Sequence, residues 1–244
     1  MTDEPHLPVG RFSTWLQQTL EAHTDDSDVD VPCGDCVACC TSSYFVHIRP
    51  DDVAALSRVP AELLVPAPGA PKGHVVMGYD QRGKCPMLEE GRCSIYEDRP
   101  LTCRAYDCRV FAAAGIEADR PAITARARTW VFEYPTEEDR RAHDAVRAAA
   151  AFLRRHPACF TGGAQADNPA HVALLAVKVA GVFRDRDAGQ GTGGKGRHEG
   201  TVGAGRHEGT GGARRQEGAT GARDDELVKA VLAANETFEA GRSR

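Results

Sequence analysis

Eight of the nine cysteines of this 244-residue chain fall between Cys33 and Cys108, and four of them stand as Cys33-x2-Cys36-x2-Cys39-Cys40. No other feature constrains the fold as strongly. In C-x2-C a short loop lets two sulfurs face one ion, and Cys39 adds a third thiol at the same interval. The later cysteines lie in Cys85-Pro86-Met87-Leu88, Gly91-Arg92-Cys93-Ser94-Ile95-Tyr96 and Cys103-Arg104-Ala105-Tyr106-Asp107-Cys108. The candidate metal ligands are therefore Cys33, Cys36, Cys39, Cys40, Cys85, Cys93, Cys103 and Cys108. Four thiols in each stretch complete two four-thiolate sites, or one cluster with reactive or structural thiols left over. Vicinal Cys39 and Cys40 project in different directions in any regular structure. One serves a first centre, then, while the other serves a second or stays free.

The compartment decides between ligands and disulfides. The start, Met1-Thr2-Asp3-Glu4-Pro5, lacks the cationic and apolar regions of a secretory signal. The longest apolar candidate, Val172 to Val182, is interrupted by Lys178 and is too short to span a bilayer. A cytoplasmic location is expected, and there thiols stay reduced. The net charge of −5 gives no field to attract nucleic acid or anionic lipid, so neither a nucleic-acid nor a membrane partner is expected. The expected cofactor is an iron–sulfur cluster, of the 4Fe-4S type, or zinc. Four-thiolate zinc sites usually show two separated C-x2-C knuckles, and the C-x2-C-x2-C run tilts the reading toward iron–sulfur. A ferredoxin proper does not fit, because Cys40 follows Cys39 at once and the Cys85-Pro86 pair is remote. A four-thiolate site stays net negative with its metal bound, so Arg92, Arg99, Arg104 and Arg109 are the candidates to offset that charge. His47 and His74 read as strand histidines, with substitute ligation as the alternative. Tyr96 and Tyr106 read as packing residues, and Cys159 as an isolated, buried, small apolar side chain.

Taken together, Cys-x2-Cys-x2-Cys-Cys, Cys-Pro-x-Leu and Gly-x-Cys-x-Ile-Tyr-x-x-Arg-Pro-x-x-Cys-Arg-x-Tyr resemble the YkgJ-type cysteine cluster proteins, also described as the CxxCxxCC zinc- or iron-chelating domain. The resemblance covers residues 31–110. It implies metal chelation through Cys33, Cys36, Cys39, Cys40, Cys85, Cys93 and Cys103, with Cys108 added by the trailing Cys-Arg-x-Tyr-x-Cys pattern. Flagellin lysine-N-methylases share this domain, which implies that some members transfer methyl groups from S-adenosylmethionine beside a cluster.

The rest of the chain divides by composition. Residues 1–30 hold a short helix, with Ser13 as cap and Phe12, Trp15, Leu16 and Leu20 on its apolar face, followed by an acidic run read as a solvated linker. Residues 31–185 form the cysteine-cluster domain with packed helices. Within it, Tyr44 to Ile48 and His74 to Tyr79 read as strands, and Pro50 opens a short helix. Gly83 and Gly91 mark tight turns before Cys85 and Cys93. From Ala122 onward the pattern is helical. One helix starts at Thr136 and runs to Arg155; another starts at Asn168-Pro169 with Val172, Leu175, Val179 and Phe183 on one face. Residues 186–222 carry Arg-His-Glu-Gly and Arg-Gln-Glu-Gly motifs at a nine-residue period in a Gly-rich background, and read as a disordered linker. Residues 223–244 hold an amphipathic helix from Asp224 to Glu239 that docks back on the domain or meets a protein partner. The expected fold is α+β, mostly helical with a small amount of β, around a metal-stapled cysteine-rich core.

No catalytic residue is legible. There is no Cys-x3-Cys-x2-Cys radical site and no Gly-x-Ser-x-Gly elbow. The stretch Gly189 to Gly196 has phosphate-loop spacing, but Gly196 replaces the magnesium-holding Ser or Thr. Three readings remain: a metal- or cluster-binding protein, a cluster-assisted methyltransferase using S-adenosylmethionine, and a zinc-stapled interaction module.

Overall fold

The computed structural model describes residues 6–25, 27–29, 31–160, 168–190 and 213–241. In chain order the elements are β1 (Leu7–Arg11), α1 (Phe12–Thr24), β2 (Val46–Ile48), α2 (Val53–Arg58), β3 (Leu64–Pro66), β4 (Val75–Met77), β5 (Leu88–Glu89), β6 (Arg92–Cys93), α3 (Leu101–Arg104), α4 (Arg109–Ala114), α5 (Pro121–Thr129), β7 (Trp130–Glu133), α6 (Glu137–Arg155), α7 (Pro157–Phe160), α8 (Pro169–Gln190) and α9 (Ala213–Gly241). The fold is α+β and mostly helical, as the sequence predicts. Among the described residues, no helix is long and apolar enough to cross a membrane.

Two apolar centres organise it. The larger lies where α6 packs along α8, with α1 and α4 closing the sides. Ala142, Ala145, Ala149 and Ala150 give α6 a buried small-residue face that lets α8 approach closely. Thr136 starts α6 with a capping box: its side chain accepts from the Asp139 N–H, and the Asp139 carboxylate accepts from the Thr136 N–H. Asn168 caps α8 by accepting from the Ala170 N–H at 2.9 Å. The predicted face of α8 is too narrow, since Ala173, Ala176, Val177 and Ala180 are buried beside Leu175, Val179 and Phe183. The helix is covered from several sides, by α6, α4 and α9. Leu227 and Val231 of α9 are buried, and Lys178 of α8 pairs with Glu239 at 2.5 Å, so the terminal helix docks on its own chain.

The smaller centre holds Ile48, Ala55, Val59, Met77, Met87 and Ile95. It sits under a three-stranded antiparallel sheet in the order β2-β4-β3, with Val46 opposite Met77 and Leu64 opposite Met77 on the other side. β2 and β4 are the two predicted strands; β3 was not foreseen.

Three local expectations are corrected. The chain is not uniformly helical after Ala122, because β7 pairs in parallel with β1. Ser13 does not cap α1; its hydroxyl donates to Asp139 at 2.6 Å and so joins α1 to α6. The acidic run is not simply solvated: Asp28 pairs with Arg104, and Val29 is buried with its N–H on the Arg104 carbonyl. Residues 191–212, with most of the nine-residue repeats and of the phosphate-loop-like stretch, lie outside the described residues.

Candidate metal centre

Local geometry delivers the cysteines from several short elements. Cys33 and Cys36 close a turn in which the Cys36 N–H donates to the Cys33 carbonyl at 2.9 Å. Cys39 and Cys40 open a 3-10 turn, Cys39–Thr41, pinned by the Ser42 hydroxyl on the Ala38 carbonyl at 2.6 Å. The segment before Cys85 turns at Gly83, whose φ of 76° is left-handed. A Cβ there would also meet the Ser43 Oγ at 2.3 Å and force that hydroxyl to turn away, so backbone and space both favour glycine. The Cys85 N–H then donates to the Cys40 carbonyl at 2.7 Å. Cys93 stands opposite Leu88 in the β5–β6 hairpin. Glu90 and Gly91 join its strands with φ of 49° and 80°, the pattern of a two-residue type I′ turn. Cys103 rides on α3, whose start is bolted to the sheet region by Asp52: one carboxylate oxygen accepts from the Leu101 N–H at 2.7 Å, the other from the Arg49 N–H at 3.0 Å. Cys108 leads into α4 beside a buried polar anchor, where Asp107 accepts from the Trp15 indole at 3.1 Å and from Arg109 at 2.9 Å.

All eight thiols line one cavity of about 780 Å³ between the two apolar centres. Cys159 does not; it is exposed rather than buried as expected, since α7 lies at the surface end of the helical part. His47 and His74 also stay out of the cavity lining. Their rings stack, with Nε2 of one 3.0 Å from Nδ1 of the other. Among the described residues, no three Cys, His, Asp or Glu side chains stand close enough to hold an ion as placed, so the sulfurs surround a space rather than meet at a point.

The electrostatics of the cavity disfavour bare thiolates. Burial, then the Cys85, Cys40 and Cys93 thiols, push Cys103 up to about 12. Burial, then Cys85 and Cys93, push Cys40 up to about 11. Burial also pushes Cys108 up to about 11, although the Trp130 indole N–H on its sulfur, at 3.2 Å, opposes the shift. Cys39 is raised further, by burial and then by Cys108. Its side chain nonetheless keeps exposed surface. Cys33 and Cys85 are raised by burial first. Bringing such thiols to the anionic form needs a cation among them, which a divalent metal or a cluster supplies while the protons leave.

The donor set suits that role. Among the described residues the cavity lining offers sulfur and no imidazole, the chemistry of zinc–thiolate and iron–sulfur sites. Tyr106, beside Cys39 and Cys108, has a buried hydroxyl that lies near the Tyr44 hydroxyl. Tyr106 packs against the large core, while Tyr96 is partly exposed under the Arg99 guanidinium, 3.6 Å from its ring.

Of the four arginines singled out in the sequence, two are committed elsewhere and two line the cavity. Arg104 is committed to Asp28 and Asp52, and Arg109 to Asp107. Arg92 lies at the rim, 3.9 Å from Asp35. Arg99 does favour the charged forms of Cys33 and Cys103. The residue that sequence reading missed is Arg126 of α5. Its guanidinium donates to the Cys33 carbonyl at 3.2 Å and to the Pro32 carbonyl at 3.3 Å, and it lies 4.6 Å from the Trp130 ring centre. Trp130 itself was missed too. The basic last turn of α5, Arg126 and Arg128 before an aromatic, was the only signal available.

Residues 32–129 match the model of the family described as "CxxCxxCC: Putative zinc- or iron-chelating domain". No curated protein and no solved structure matches the chain.

Proposed function

We propose that the protein binds zinc or iron through Cys33, Cys36, Cys39, Cys40, Cys85, Cys93, Cys103 and Cys108, a reading supported by the match of residues 32–129 to the CxxCxxCC family model. The single observation that carries this reading is that all eight thiols, from stretches more than forty residues apart, line one cavity. Within it the C-x2-C-x2-C run favours an iron–sulfur cluster over zinc. Arg99 and Arg126 face Cys33 as cationic support, and the Trp130 N–H is a sulfur-directed donor. Anaerobic purification followed by metal analysis and visible absorption tests it. A brown protein with iron and acid-labile sulfide bears the cluster out. A colourless protein with stoichiometric zinc replaces the cluster by a structural zinc site. Protein free of both metals, folding equally well under strong chelation, overturns the reading.

The size of the cavity favours one second reading. About 780 Å³ lies within the range of roughly 300–1,000 Å³ that small organic ligands occupy, and exceeds what an ion needs. Methyl transfer from S-adenosylmethionine beside the cluster, as the flagellin lysine-N-methylase resemblance implies, has that room. Calorimetric titration of the metal-loaded chain with S-adenosylmethionine tests it, and absence of binding removes it.

A further inference from the structure

We infer that the cavity holds two thiolate centres rather than one, with Cys33, Cys36, Cys39 and Cys108 around the first, Cys40, Cys85, Cys93 and Cys103 around the second, and the Cys39–Cys40 peptide as the link between them. The inference rests on the metal-binding reading above and goes beyond it in number and in ligand set.

The vicinal pair sits in a 3-10 turn, where three residues complete a revolution, so the two side chains diverge by about 120°. Two sulfurs so directed do not converge on one ion from their own backbone. Each direction has its own company. On one side Cys108 belongs to the large helical core, and its sulfur accepts from Trp130. Trp130 lies under Arg126, which holds the Cys33 carbonyl, and Cys36 is one turn from Cys33. On the other side the Cys40 carbonyl accepts from the Cys85 N–H. Cys85 and Cys93 both pack against the small core, and Cys103 comes from α3, which lies against β2 of that same core. Cys108 thus goes with the large core and Cys85 and Cys93 with the small one, and the vicinal pair lies between them.

Four thiolates satisfy one tetrahedral zinc or one cubane cluster, so neither set needs a ligand from the other. The arrangement makes the linking peptide a mechanical coupling: drawing one centre together orients the ligand of the next.

The test uses the reduced full-length chain loaded with zinc alone, its metal content counted by native mass spectrometry. Two zinc ions are expected at saturation. Partial stripping with a competing chelator, a pulse of N-ethylmaleimide and peptide mapping then identify the thiols released in the one-zinc species. The expected species carries label on one whole set and none on the other. In variants, Cys93→Ser and Cys108→Ser each keep one zinc of two, and the Cys93→Ser/Cys108→Ser double variant keeps none. The labelling experiment uses the unaltered chain, so it holds even if a variant misfolds. One zinc at saturation, all-or-none release, or label mixed across the two sets overturns the two-centre assignment. A chain that takes up neither zinc nor iron fails the metal reading itself, a different result.

Discussion

The helical part and the cysteine part of this molecule are stabilised by different means. Around α6 and α8 the chain buries aromatic rings, leucines, valines and a close-packed alanine face. Around β2, β3 and β4 it buries six apolar residues, and much of what joins Val31 to Cys108 is turns and short elements. Apolar burial scales with the number of large side chains withdrawn from water, so the first part is expected to be self-supporting and the second to depend on bound metal. The second part concentrates eight thiols instead. In small metallo-domains the metal supplies about 10–16 kcal/mol of apparent binding energy that is also folding energy.

The comparison breaks most directly by removing metal. Stripping the loaded protein with a strong chelator is expected to open the segment from Cys33 to Cys103 while α6 and α8 stay folded. Hydrogen exchange followed by mass spectrometry reads both at once. Peptides containing Cys36, Cys85 and Cys93 are expected to lose protection by orders of magnitude, and those of α6 to change little. Uniform loss along the whole chain would show one cooperative unit instead of two.

The converse perturbation is Phe152→Ala. Phe152 is fully buried, with the Phe160 and Phe183 rings 5.9 and 5.7 Å away. Truncating a buried phenylalanine costs about 3–5 kcal/mol through lost burial and an unfilled cavity. Melting temperature is expected to fall sharply while the metal-to-protein ratio of the folded fraction is unchanged.

Asp139 gives the helical part a pH signature of its own. Burial raises its pKa, but hydrogen bonds from Ser13, Thr136 and Arg11 outweigh this and hold the carboxyl well below the usual carboxylate range. A depressed folded-state value stabilises the fold above the unfolded pKa of about 3.9, and that contribution is lost as pH falls through the folded value. Asp139→Asn is therefore expected to lower the melting temperature at neutral pH, with the gap from the parent closing in acid. A gap independent of pH would remove the ionised carboxylate from the account.

Arg126→Ala tests the seam between the two parts. It removes the hydrogen bonds to Pro32 and Cys33 and the contact over Trp130, and leaves every thiol in place. Outer-shell partners of this kind are worth about 10–100-fold in metal affinity. Competition with a chromophoric chelator is expected to show a loss in that range, with helix content unaltered.

Much of this was legible in the sequence because the signals were local. Thr136 with Asp139, Asn168-Pro169, and Gly83 and Gly91 each fix a backbone conformation within a few residues. The cysteine spacing marked the site for the same reason. Contacts that depend on direction in space were not legible. Arg104 and Arg109 adjoin cysteines in sequence, yet they point to Asp28 and Asp107. Arg126 and Trp130 are the residues that reach Cys33 and Cys108. The β1–β7 pair was hidden because Leu7–Arg11 contains Pro8 and Gly10, lacks alternation, and finds its partner more than a hundred residues away. Cys159 was misjudged for a related reason: residue type favours burial, but its helix of four residues lies outside the core.

That last residue supplies the smallest expected effect and the sharpest control. Cys159 is the one cysteine outside the Cys33–Cys108 stretch, and its thiol is exposed and away from the cavity. Surface substitutions away from special features change stability by about 0.5 kcal/mol or less. Cys159→Ser is expected to leave metal content, melting temperature and chelator resistance at parental values, and to abolish fast alkylation of the metal-loaded protein. If the loaded parent reacts with N-ethylmaleimide at one thiol and the variant at none, the other eight are protected together. If Cys159→Ser instead loses metal, the ligand set reaches beyond the cavity, and the division between a self-supporting helical part and a metal-dependent cysteine part fails at α7.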